Sequence, residues 1–176
     1  MRIGLLSDSH GNCASLKSAL EVLTKHDVEA VVHCGDICSL DSLQMLTKLK
    51  IPVWLVAGNM DSHIIHQLKN KSRNTNVTFH HSTVEVPLGN NDYLIATHGD
   101  NDYLLDELIH GEQFPYVCQG HTHRASDVRH GSTRLICPGA LSAPRHPDFP
   151  TVAVIDTTID NVDFYDISNS QKTIQI

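Results

Sequence analysis

The chain has 176 residues and a mass of 19.5 kDa, a length suited to one compact domain rather than two. Hydrophobic residues make up 40% and charged residues 19%, ordinary globular usage that excludes disorder as the main reading. The 13 Lys and Arg against 20 Asp and Glu give a formal charge of -7, which leaves no basic face for nonspecific nucleic-acid binding.

The chain opens on a short apolar run, IGLLSDSH at 3–10, that ends in Asp8 and His10. That run is too short for a signal-peptide core, and no later stretch approaches membrane-span length, so a cytoplasmic chain without a membrane partner is expected. The five cysteines contain no CxxC pair and read as reduced thiols, in keeping with that compartment. Further strand-length runs follow, and they end alike: AVVHCGD at 30–36, VWLVAGNMD at 53–61, YLIATHGD at 93–100 and YVCQGHTH at 116–123. Each strand signal runs directly into residues with ligand chemistry.

Helical spacing separates the early runs, at Leu16, Leu20 and Leu23, then Leu40, Leu43 and Leu46, then Ile64, Ile65 and Leu68. Strand alternating with helix predicts βαβ units and a parallel sheet. From residue 77 onward, strand candidates crowd together at 77–80, 83–87, 92–97, 115–119, 132–137, 151–156 and 161–166, with one helix pattern at Leu104, Leu105, Leu108 and Ile109. This half is predicted to be mostly antiparallel. No linker composition divides the halves, so the expected architecture is α/β: two sheets packed face to face with helices outside, in a single domain over 1–167. Residues 168–176 read as a polar C-terminal tail.

Ligands of open α/β sheets bind at the carboxyl ends of the strands, and there the polar residues gather. Asp8 and His10 follow the first strand, Asp36 the second, Asn59 and Asp61 the third, His98 and Asp100 a later one, and His121 and His123 the next. Taken singly, Asp and Asn at such turns are helix caps. Capping does not explain His10, His98, His121 and His123 at the same sheet edge. The set exceeds what one tetrahedral ion needs, and its mixed nitrogen and oxygen donors suit two divalent cations. Manganese is the first choice, and iron, zinc, cobalt or nickel also fit the donor types. Two such ions generate a hydroxide and clamp the oxygens of an in-line phosphoryl displacement.

The ordered motifs Asp8-Ser-His10, Gly35-Asp36, Gly58-Asn59-Met60-Asp61, Thr97-His98-Gly99 and Gly120-His121-Thr122-His123 resemble the calcineurin-like metallophosphoesterases, and within them the small bacterial and archaeal phosphodiesterase branch. The resemblance covers residues 1 to about 150. It implies a four-layer αββα sandwich. It also implies one metal on Asp8, His10, Asp36 and His123 and a second on Asp36, Asn59, His98 and His121, with Asp36 the bridge. The activity implied is hydrolysis of small phosphodiesters or activated phosphate esters by a metal-bound hydroxide, with Asn59, Asp61 and Arg145 as supporting residues. A non-catalytic scaffold on the same fold, like the related retromer subunit, is the alternative, and an intact ligand set speaks against it. A small phosphate ester is the expected partner, and the sequence is compatible with a homo-oligomer.

Two positions depart from the pattern of the resemblance. Met60 stands where many relatives carry a His that protonates the leaving oxygen, and Asp100 stands where the small-phosphodiesterase branch often carries His. Asp100 reads either as an acceptor that orients a histidine or as an exposed turn residue. His63, in the third loop, reads as a surface residue rather than a substrate contact. The remaining histidines, His33 among them, read as surface or hydrogen-bonded side chains.

Overall fold

The computed structural model describes residues 1–89, 91–168 and 172–173. Its first half alternates as the spacing predicts: β1 (Arg2–Leu6), α1 (Cys13–Lys25), β2 (Ala30–His33), α2 (Leu40–Leu46), β3 (Val53–Val56), α3 (Ile65–Ser72) and β4 (Val77–His80). Strands β1 to β4 pair in parallel in that order. The second half runs β5 (Thr83–Gly89), β6 (Asp92–Thr97), α4 (Asp102–His110), β7 (Tyr116–Cys118), β8 (Ala125–His130), β9 (Thr133–Pro138), β10 (Thr151–Asp156), β11 (Asn161–Asp166) and β12 (Lys172–Thr173). The first sheet has the order β12-β11-β10-β1-β2-β3-β4 and the second β5-β6-β7-β9-β8. Both are mixed, and with helices on the outer faces they form the expected four-layer αββα sandwich.

The central strands of the first sheet, β10, β1, β2 and β3, are apolar on both faces, which is why they read as continuous hydrophobic runs. Ile3 and Leu5 of β1, Ala30 and Val32 of β2 and Ala153 and Ile155 of β10 point between the sheets, where Val84, Val86, Leu94, Ala96 and Ile136 meet them. The alternate residues Leu6, Val31, Val53, Leu55, Val152 and Val154 face the helix layer and pack against Leu16, Leu20 and Leu23 of α1, Leu43 and Leu46 of α2 and Leu68 of α3. In β5 the pattern simplifies to Val84 and Val86 inward with Glu85 and Pro87 outward, as befits an edge strand with one wet face.

The second half is mostly antiparallel, as expected, and the structure adds two features. β6 and β7 are parallel, joined through α4, and β7 pairs in parallel with β9, so antiparallel pairing holds for β5–β6, β8–β9, β1–β10, β10–β11 and β11–β12 only. β8 is a strand that the sequence hides: ASDVRH lies at the edge of its sheet with only Ala125 buried, so neither apolar alternation nor a continuous apolar run marks it. Within the segment expected as a tail, Lys172–Thr173 extend the first sheet beside β11.

Leu94 is fully buried between the sheets. Leu94→Ala leaves a cavity there and is expected to lower unfolding free energy by about 2–5 kcal/mol, read as a reduced midpoint in urea unfolding.

Candidate metal centre

Strands β1, β2 and β3 end side by side, and the loops after β6 and β7 reach them from the second sheet. Backbone hydrogen bonds tie the loops together: Asp8 N–H donates to the Gly35 carbonyl at 3.1 Å, His10 N–H to the Asp36 carbonyl at 2.9 Å, and Gly120 N–H to the His98 carbonyl at 3.0 Å. The approach is close enough to demand glycine at two points. A Cβ on Gly58 would lie 2.1 Å from Asp36 Oδ1, and one on Gly120 would lie 1.9 Å from Ser7 Oγ. The backbone bends sharply as well. Asp8, His10, Asp36, His121 and His123 all have positive φ, from 44° to 62°. That left-handed region costs an L-residue about 1–2 kcal/mol, and such strain persists where surrounding structure holds a site in place.

Two carboxylates are at the centre, Asp8 at 0% and Asp36 at 3% exposure. Asp36 Oδ1 accepts a hydrogen bond from the Met60 amide at 2.8 Å. Its Oδ2 faces His98 Nε2 at 3.4 Å on one side and His10 Nε2 at 3.9 Å on the other. Asp8 Oδ2 accepts from the His121 amide at 3.1 Å. Its Oδ1 faces His123 Nε2 at 3.3 Å and His10 Nε2 at 3.9 Å, and accepts no hydrogen bond from the described residues.

Neighbouring carbonyls fix the imidazole protons. His98 Nδ1 is 2.9 Å from the Cys34 carbonyl oxygen and His123 Nδ1 is 2.8 Å from that of Ala143. A carbonyl only accepts, so each Nδ1 carries a hydrogen and each ring turns its Nε2 inward. Each Nε2 lies close to another polar atom: His98 Nε2 is 3.0 Å from Asn59 Oδ1, and His123 Nε2 is 3.3 Å from His10 Nε2. With the rings neutral, oxygen and nitrogen lone pairs converge here, a conflict that protons or divalent cations resolve. The residues fit such ions in type as well as position.

The electrostatics report the same conflict. Burial raises the Asp8 carboxyl above its usual range, despite the Ser7 hydroxyl and the His98 and His123 rings. Burial also opposes the ionisation of Asp36, but His98, the Met60 amide and His10 outweigh it and hold that carboxyl low. For His98, burial pushes downward, while contact with Asp36 and the Cys34 carbonyl dominates and lifts the imidazole to about 9.

Among the described residues, donor atoms lying within 4.8 Å of one another form three groups: Asp8, His10 and His123; Asp8, Asp36 and His98; and Asp36, Cys38 and Asp61. The first two lie among the expected ligands. In the third, Asp61 is occupied: its carboxylate accepts the amides of Cys38 at 2.7 Å, Gly58 at 2.8 Å and Ile37 at 3.3 Å. It ties the second loop to the third and faces backbone, not substrate. The His121 ring lies outside these groups, with its centroid 5.2 Å from that of His98. Arg145 is exposed and touches the site through its amide, which donates to the His123 carbonyl at 2.9 Å. His63 and Asp100 are exposed.

Beneath the site, buried His33 meets Ser9 Oγ through Nε2 at 3.1 Å, and burial pushes its pKa down to about 3, so it is neutral. A histidine inside the apolar run AVVH was the available signal for a buried polar pair. Nothing local marks Ser9 as its partner, or Cys38 as the thiol 3.7 Å from His10 Nδ1.

The calcineurin-like phosphoesterase superfamily domain matches residues 1–160. The chain belongs to this superfamily. It is 27% identical over 158 residues to a phosphodiesterase of Methanocaldococcus jannaschii, covering 89% of this chain and 93% of that protein. The structure of an archaeal phosphodiesterase superposes with a TM-score of 0.81 at 24% identity, covering 94% of this chain and 99% of that one. Vacuolar protein sorting 29 from Cryptosporidium parvum shares the fold with a TM-score of 0.69 at 19% identity, over 99% and 95% of the two chains. Family membership and the donor set together describe a metal-dependent phosphoesterase.

Gly120→Ala is expected to force the β7 loop away from Ser7 and Asp8, with a stability loss of about 1–3 kcal/mol typical of overpacking and a lower affinity for Mn²⁺. Thermal unfolding and Mn²⁺ titration of the variant measure both.

Proposed function

We propose that the chain is a dinuclear metal-dependent phosphodiesterase acting on small phosphodiesters or activated phosphate esters, with residues 1–167 as its single functional unit. One observation carries the reading. Asp36 Oδ2 lies between His98 Nε2 and His10 Nε2, while its other oxygen is held by the Met60 amide, the geometry of a carboxylate shared by two cations. Asp8, His10, Asp36 and His123 would hold one ion, and Asp36, Asn59, His98 and His121 the other. Divalent cations, manganese first among them, supply a hydroxide nucleophile from water and neutralise charge on the phosphoryl oxygens when bound.

The protein's own contribution is placement. The Cys34 and Ala143 carbonyls fix the rings of His98 and His123 with Nδ1–H outward and Nε2 toward the centre, as second partners commonly do for ligand histidines. Asn59 turns its amide oxygen toward His98. Asp61 acts as a brace that keeps Gly58 against Asp36. Arg145, exposed at the rim, is suited to hold a phosphate oxygen of bound substrate. The intact donor set favours an enzyme over a scaffold. No helix among the described residues is long and apolar enough to cross a membrane, and the acidic net charge favours a small ester over nucleic acid.

Two measurements test this reading. Metal analysis and melting curves come first: chelation lowers the melting temperature and Mn²⁺ restores it, because ions that bind only the native state stabilise it by mass action. Asp36→Asn is expected to lose bound metal and at least about 10²-fold in turnover. A metal-free wild type with an unchanged melting curve would leave the scaffold reading in front.

The second measurement follows from Met60, which is 52% exposed and whose thioether supplies no proton. General-acid help is worth about 10²–10⁴-fold and matters most for basic leaving groups. Rates are therefore expected to fall steeply with leaving-group pKa, aryl diesters being cleaved well and alkyl monoesters poorly. A flat series with rate-limiting chemistry would show that another group donates the proton.

A further inference from the structure

A cavity of about 270 Å³ opens beside the Asn59 and His98 half of the centre. Its walls come from four separate stretches of chain: Asn59 and Ser62 after β3, Ser82 before β5, Thr97 at the end of β6, and Asp100 and Asn101 before α4. Ile65 and Leu104 supply the apolar part. None of Asp8, His10 and His123 lines it, so it lies to one side of the centre. Asn59 belongs to both, since its Oδ1 meets His98 Nε2 at 3.0 Å and its side also bounds the cavity. A phosphoryl group held at the centre therefore directs one ester arm into this space.

Size and charge define what that arm is. Ligand pockets commonly span about 300–1,000 Å³, so this one takes a single small organic group and no polymer. The serines and Asn101 offer hydrogen-bond donors and acceptors to hydroxyls, and Ile65 and Leu104 suit the carbon side of a short polyol. The lining includes one carboxylate, Asp100, and no lysine or arginine. Its imidazole, His81, has Nδ1 3.1 Å from Ser82 Oγ. A second anionic group entering here would meet the Asp100 carboxylate with no Lys or Arg among the lining residues to neutralise it, while the cation proposed at Asn59 and His98 would already face the phosphoryl oxygens.

We propose that this cavity is the specificity subsite for one ester arm of the substrate, that it takes a small uncharged hydroxyl-bearing alcohol, and that Asp100 rejects arms carrying negative charge. The proposal rests on the phosphodiesterase reading for the position of the phosphoryl group, and it narrows the substrate class to diesters of uncharged polyols. The charge of the arm, rather than its size, is the property that Asp100 reads.

The test uses two diesters of matched size, bis(2-hydroxyethyl) phosphate and bis(carboxymethyl) phosphate, whose identical arms make the direction of binding irrelevant. Dissociation constants are measured by calorimetry on Mn²⁺-loaded protein, with turnover of bis(p-nitrophenyl) phosphate followed separately. The hydroxyethyl diester is expected to bind at least about 10-fold more tightly than the carboxymethyl one, as charge repulsion at contact distance from Asp100 dictates. Asp100→Asn shrinks that ratio to within about threefold, and Ser62→Lys, at an exposed lining position, reverses it. Equal binding of the two diesters by the wild type, or a ratio unmoved in both variants, overturns the proposal. Selective binding without any turnover of the aryl diester supports the subsite and counts against the catalytic reading alone.

Discussion

Two carboxylates buried at the crest of a sheet, Asp8 and Asp36, are the constraint around which the site is organised. Removing an ionised carboxylate from water costs several kcal/mol even after a protein relaxes around it. Here two are placed together, and the imidazoles about them turn their Nε2 atoms toward the centre. The left-handed backbone at Asp8, Asp36 and the site histidines adds to that cost. A fold that tolerates all of this must be held firmly elsewhere, and the two apolar layers either side of the first sheet do so. Positive charge at the centre, from protons or from metal ions, is what reconciles the site with the fold.

Much of this was legible in the sequence because the central strands of the first sheet are buried on both faces. Uninterrupted apolar runs such as IGLL and AVVH, each followed by ligand-type residues, announce both the strand and the place where it stops. The donor residues could be named because five loops carry them in order, and the structure brings Asp8, His10, Asp36, Asn59, His98 and His123 together. Less legible was whatever depends on long-range pairing. The parallel register of β6, β7 and β9 leaves no local trace, and the polar edge strand β8 lacks the alternation that one buried face would impose. Asp61 illustrates a different limit. Its position in the motif shows that a carboxylate is needed, whereas only the three amides around it reveal that it braces backbone.

The frame itself is shared with proteins of unlike description. An archaeal phosphodiesterase and vacuolar protein sorting 29 both superpose along nearly the whole chain, at identities where likeness speaks for fold alone. Function on a common fold resides in the side chains at its site. For this chain those side chains are the donors gathered about Asp8 and Asp36, the exposed Met60 whose amide holds Asp36, and the Asp100 carboxylate lining the adjoining cavity.

The segment after β9 has a further consequence for how the molecule is made. Leu141 and Ser142 donate their amides to the carbonyls of Ser7 and Asp8, and Arg145 donates to His123, so residues from the far end of the chain close over the first loop to leave a ribosome. Contacts so distant in sequence form late, because a long loop must close before they yield any stabilisation. A nascent chain that has emerged only through β6 carries Asp8, His10, Asp36 and Asn59 but none of His98, His121 and His123, nor the strand that presses the last two into place. Such an intermediate lacks three of the four site histidines, and its donors are spread over unfastened loops. On the proposed reading, cation capture belongs to the end of synthesis, when both sheets have docked.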